Sequence, residues 1–118
     1  MHLWKFSQVN LERCIKGFNH ELDSWSIAEW TNAVAGEVGE SCNLAKKIIR
    51  HRDSVPGNYK PEDTDIDLLR LRCAKELADV ITYADLTIQA LGYDTEQVLK
   101  GVFNAKSEQL NCPITIED

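Results

Sequence analysis

Apolar residues recur at intervals of three and four along four separate stretches of the chain. That spacing places them on one side of an α-helix. The first stretch runs from about Phe6 to His20, with Val9, Leu11, Ile15 and Phe18 as its apolar face. The second follows Ser24 or Ser26, either of which suits a helix start, and Glu29 stands three residues beyond Ser26 at capping-box spacing. It is expected to run from Ile27 to about Arg50 on Trp30, Val34, Val38, Ala45, Ile48 and Ile49. Lys46, Lys47, Arg50, His51 and Arg52 crowd its end, where cations suit the helix dipole. Asp53 to Thr64 contains two prolines and one glycine and reads as a connection. A third helix is predicted from about Asp65 to Leu91, with Gly92 as its stop. A fourth starts at Asp94 or Thr95 and reaches about Gln109, before Pro113 and an acidic tail. Strand-like alternation is nearly absent, so the pattern predicts an all-α chain. One long antiparallel helix pair would carry two shorter helices in a bundle-like arrangement.

Composition narrows the class. A length of 118 residues suits one domain spanning residues 1–118. Hydrophobic residues at 43% and charged residues at 27% are ordinary for a globular protein and argue against disorder. No apolar run reaches the roughly 18–20 residues that span a bilayer, and the start, Met-His-Leu-Trp-Lys, lacks a signal-peptide pattern. A cytoplasmic protein without a membrane partner is expected. The net charge of −6 weighs against nucleic acid as a partner. Cys14, Cys42, Cys73 and Cys112 form no CxxC pair and read as reduced thiols.

The second helix contains a costly stretch, Ala35-Gly-Glu-Val-Gly-Glu-Ser-Cys-Asn-Leu-Ala-Lys-Lys47. Each glycine in a helix interior costs roughly 0.5–1 kcal/mol relative to alanine. Glu37 and Glu40, three residues apart, put two negative charges on one side of the helix. Lys75-Glu-Leu-Ala-Asp-Val80 repeats the geometry on the third helix with Glu76 and Asp79. If the long helices are antiparallel neighbours, the two acidic pairs converge and repel unless a cation neutralises them. Oxygen ligands without His or Cys favour a hard divalent ion, Mg²⁺ or alternatively Mn²⁺. Gly36 and Gly39 would then leave room beside the carboxylates for a neighbouring helix or a bulky ligand.

The pattern Glu37-x-x-Glu40 followed by Glu76-x-x-Asp79 resembles the signature of the all-α nucleoside triphosphate pyrophosphatases, above all the MazG-like family. Trp30, Asn43, Lys46-Lys47 and the run from Lys75 to Asp85 agree with it, and the likeness covers about residues 25–106. The resemblance implies a MazG-type fold and Mg²⁺-dependent hydrolysis of a nucleoside triphosphate to monophosphate and pyrophosphate, in control or cleansing of the nucleotide pool. It makes Glu37, Glu40, Glu76 and Asp79 both metal ligands and catalytic residues, with Glu37 or Glu40 doubling as the base. It also implies a homodimer or homotetramer, in keeping with the apolar surface of such long helices.

Further residues follow as substrate contacts. Lys47 falls nearly on the face of Glu40 and is a candidate for phosphate, or else a lysine that complements the helix dipole. Tyr83, one turn after Asp79, matches a position where relatives place an aromatic near the base or sugar, with core packing as the other reading. Lys100 and Asn104 resemble a family Lys-x-x-x-Asn pair that contacts phosphate or sugar, with Lys106 as a substitute for Lys100. Trp25 and Trp30 are candidates for base stacking or for the core. His20 and His51 read as surface or capping residues. A di-iron bundle would need Glu-x-x-His, and no histidine here stands three residues after a glutamate. The alternative outside enzymes is a helical interaction module with an acidic surface.

Overall fold

The computed structural model describes residues 1–118 and is all-α, with four helices and no strand. The helices are α1 (Leu3–Gly17), α2 (Ile27–Arg52), α3 (Ile66–Ala90) and α4 (Thr95–Gln109), with short 3-10 turns at Leu22–Ser24 and Pro61–Asp63. The chain forms two compact units, Ala28–Ala84 and Met1–Ile27 with Asp85–Asp118.

In the Ala28–Ala84 unit, α2 and α3 run antiparallel. The Cys73 thiol donates to the Ser41 carbonyl at 3.6 Å, while Glu37, earlier in α2, meets Asp79, later in α3. Asp65 starts α3 by accepting from the backbone N–H groups of Asp67 at 2.9 Å and Leu68 at 3.3 Å. Trp30, Leu44 and Leu69 are its buried apolar side chains. Val38 and Ile49 of α2, expected in the core, are 40% and 47% exposed. Leu71, Leu77 and Ile81 of α3 are open as well. The helical period holds, but the apolar stripe is wider than the face the partner helix covers.

In the other unit, α1 packs against α4. Helix α1 begins at Leu3, ahead of the expected Phe6, and stops at Gly17. Its buried residues are Asn10 and Cys14, whereas Val9 and Phe18, expected in the core, are exposed. The reason is polar. The carboxylate of Asp85, 1% exposed, accepts from Ser7 Oγ at 2.5 Å, Asn10 Nδ2 at 2.9 Å, Gln89 Nε2 at 2.9 Å and Thr95 Oγ1 at 2.5 Å. Facing Asn10 toward Asp85 turns Val9, its neighbour, outward. Gly92, with φ +91, ends α3 in a Schellman motif in which Tyr93 N–H reaches Ile88 O and Gly92 N–H reaches Gln89 O. Asp94 caps α4 through Gln97 N–H at 2.9 Å, which leaves Thr95 free for Asp85. Ser24 serves the 3-10 turn, taking the Glu21 N–H at 2.9 Å, and not α2.

A buried donor without an acceptor loses its hydration uncompensated. Asp85→Ala strands donors from three segments and is expected to lower unfolding stability by about 3 kcal/mol in urea denaturation. Asp85→Asn, which keeps one acceptor oxygen, is expected to cost less. An Asp85→Ala loss below about 0.5 kcal/mol would show that the network does not hold this unit.

Candidate functional site

The middle of α2 brings Glu37 and Glu40 toward Glu76 and Asp79 of α3, all within the Ala28–Ala84 unit. One carboxylate oxygen each from Glu37, Glu76 and Asp79 lies within 4.8 Å of the others. Glu40 stands close enough to act on both Glu37 and Glu76. Burial raises the Glu37 carboxyl above its ordinary value, with the charges of Glu40 and Asp79 adding to the effect. Glu76 is pushed up to about 7, first by its hydrogen-bonding approach to Glu40, then by burial and by Glu37.

Two oxygens, Glu37 Oε2 and Glu76 Oε2, are buried without a donor. Ionised carboxylates can only accept, so the four groups offer each other nothing. A proton on Glu76 supplies one donor, and a cation satisfies more oxygens at once. The donor set is all hard oxygen, as a Mg²⁺- or Mn²⁺-class ion requires.

The glycines beside this cluster do not serve a close approach of helices. A Cβ at Gly36 or Gly39 would meet nothing within 4 Å. Both border a cavity of about 490 Å³ shared with Glu40, Asn43, Arg72, Lys75 and Glu76. Of the two expected uses of these glycines, room for a ligand fits the structure and helix contact does not. Arg72 and Lys75 were not singled out from the sequence. Their signal was position, since Arg72 lies one turn before Glu76 on α3 and Lys75 adjoins it.

Other expected contacts are engaged elsewhere. The Lys47 ammonium is 3.0 Å from Asp63, a residue 4% exposed, which Arg72 also approaches at 3.1 Å. Lys47, with Arg72, holds the Asp63 carboxyl below its ordinary range against the opposing effect of burial. Lys47 thus ties α2 to the 53–64 connection, which Asn58 also joins to the Lys47 carbonyl at 2.8 Å. Trp30 is 1% exposed, so its rings pack in the core and offer no stacking face. Tyr83 is half-buried on α3, one turn beyond Asp79. Lys100 and Asn104 lie in the other unit, where Lys100 pairs with Asp118 at 2.7 Å and the Asn104 amide binds the backbone of Ile116. Their polar atoms are taken by Asp118 and Ile116. Lys106 is exposed on α4.

Comparison of the chain with protein-family models, curated proteins and solved structures finds no match. No helix is long and apolar enough to cross a membrane.

The raised Glu76 carboxyl makes stability depend on pH in a defined direction. Between the ordinary value of 4.5 and about 7, the folded chain holds a proton that the unfolded chain has released. Stability without divalent ions therefore falls as pH rises through that window and levels above it. Melting temperatures from pH 5 to 8 in EDTA are expected to show this decline, and Glu76→Gln to flatten it. Equal slopes in the two proteins would mean that Glu76 keeps an ordinary carboxyl.

Proposed function

We propose that the chain is a Mg²⁺-dependent nucleoside triphosphate pyrophosphohydrolase of MazG-like type, yielding monophosphate and pyrophosphate for control or cleansing of the nucleotide pool. The observation that carries this reading is the convergence of two i, i+3 acidic pairs from α2 and α3, with two buried oxygens lacking donors, beside an open cavity. A non-catalytic acidic module gives no reason to bury carboxylate oxygens unpaired, because solvated acids keep their hydration.

Glu37, Glu76 and Asp79, with Glu40 beside them, would hold the divalent ion. When bound, such an ion offsets charge on phosphate oxygens and helps to activate water. Glu37 or Glu40 accepts the proton of the attacking water. Lys75 borders the cavity and offers a cation to a triphosphate, while Arg72, which also borders it, is held with Lys47 on Asp63. Tyr83 remains the aromatic candidate for the base or sugar. Gly36 and Gly39 keep the wall of the cavity free of side chains.

The active form is a homodimer or a dimer of dimers. Val38, Cys42, Ala45 and Ile49 follow a four-three-four spacing on α2, and Val38, Cys42 and Ile49 are exposed. Leu71, Leu77 and Ile81 add an exposed apolar face on α3. Heptad-like stripes of this kind pair with a second helix layer.

A pyrophosphate-release assay across ordinary and damaged (d)NTPs in Mg²⁺ is expected to find turnover that EDTA abolishes. Asp79→Asn and Glu37→Gln should each lower kcat/KM by about 10³-fold or more with the helical circular dichroism unchanged. Wild-type turnover in Asp79→Asn would remove it from the site, and no turnover of any triphosphate by the wild type would sink the proposal. In sedimentation, Ile81→Glu is expected to shift the assembly toward the 13.4 kDa chain. An unchanged assembly would place the interface elsewhere.

A further inference from the structure

Helix α4 carries a second polar site, independent of the acidic cluster and of the activity proposed for it. Asn104 spends both ends of its amide on one residue, its Oδ1 accepting from Ile116 N–H at 2.8 Å and its Nδ2 donating to Ile116 O at 3.0 Å. This is how a neighbouring strand reads a backbone, and it asks nothing of the side chain being held. One turn earlier, Lys100 Nζ stands 2.7 Å from Asp118 Oδ1.

The two contacts share one register. Lys100 and Asn104 are four residues apart on a helix, a rise of about 6 Å along one face. Ile116 and Asp118 are two apart, and two residues of extended chain span about 6.6 Å with both side chains on one side. Only a nearly extended segment, running opposite to α4, can meet both helix residues. Thr115 turns its hydroxyl to Glu117 Oε1 at 2.7 Å, between residues of the alternate register.

We infer that Lys100 and Asn104 form a recognition site for an extended acidic peptide, filled in cis by residues 114–118, which act as a detachable strap. The ligand class is a backbone in extended form with a carboxylate two residues beyond the one that Asn104 holds. The hold is reversible, because Asp118 is 82% exposed in its side chain and water competes for the hydrogen bonds and the ion pair. Lys100, at 25%, is the preformed half of the site. When the strap lifts, α4 presents a half-buried cation and an unsatisfied amide to any segment of the same pattern.

The test uses the full chain. By NMR hydrogen exchange, the Ile116 amide is expected to be protected, and Asn104→Ala to speed its exchange about tenfold or more while the α4 amides are unchanged. Ile116→Pro removes the N–H that Asn104 accepts, so it frees the strap without touching the site. The synthetic peptide Pro-Ile-Thr-Ile-Glu-Asp should bind this variant at least about tenfold more tightly than it binds the wild type, whose tethered segment competes at an effective concentration on the order of millimolar. The shifts should centre on Lys100 and Asn104, and high salt should weaken the binding. An Ile116 amide that exchanges equally in wild type and Asn104→Ala overturns the inference. So does peptide binding that is equal in Ile116→Pro and wild type, or that persists when Asn104→Ala is added to Ile116→Pro.

Discussion

Carboxylate repulsion is the constraint around which the Ala28–Ala84 unit is arranged. Two helices each bring an acidic pair to the same place, and the groups that meet can accept hydrogen bonds but cannot donate them. Such an arrangement persists only where the rest of the unit over-determines it, and local cost of this kind tends to collect at functional sites. Relief comes either from a proton held on Glu76 near neutral pH or from a cation placed among the oxygens. A cation bound there would compete with the Glu76 proton, so its affinity would rise with pH until Glu76 is ionised.

Asp63 shows what the same functional group does when the unit supplies cations. It is nearly buried, yet Lys47 and Arg72 hold it ionised, while Glu37 and Glu76 are pushed the opposite way. The two settings give one functional group opposite shifts. Asp63 binds the connection between the long helices to a residue late in α2 and one early in α3. Fixing that end of the antiparallel pair sets the register that brings Glu37 level with Glu76 and Asp79. Lys47 and Arg72 form their ion pairs with Asp63 and not with the acidic cluster.

What could be read from the chain beforehand depended on how local the signal was. Gly92 and Asp94 announced the end of α3 and the start of α4 because a stop and a cap act within a few residues. The acidic pairs were legible for the same reason, since i, i+3 spacing defines a helix face without knowledge of neighbours. Asp85 was not, because its donors Ser7, Asn10 and Thr95 come from distant segments, and a polar core carries no periodicity of its own. That network turns Val9 outward, while Phe18 is exposed because α1 stops at Gly17 and leaves it at the cap. Lys100 and Asn104 were picked out as a pair correctly spaced on one face, but their partner segment, 114–118, lay beyond any helical pattern.

These features share a cause. Buried apolar side chains are few, Cys14, Trp30, Leu44, Leu69 and Leu86, so polar nodes at Asp85 and Asp63 position much of what a larger core would. Polar nodes are directional and specify geometry, whereas apolar burial supplies most of the driving force. A chain that fixes its helices in this way can leave its apolar stripes on α2 and α3 open to a second copy. Self-association would then supply burial that the single chain lacks, without disturbing the register at the acidic cluster.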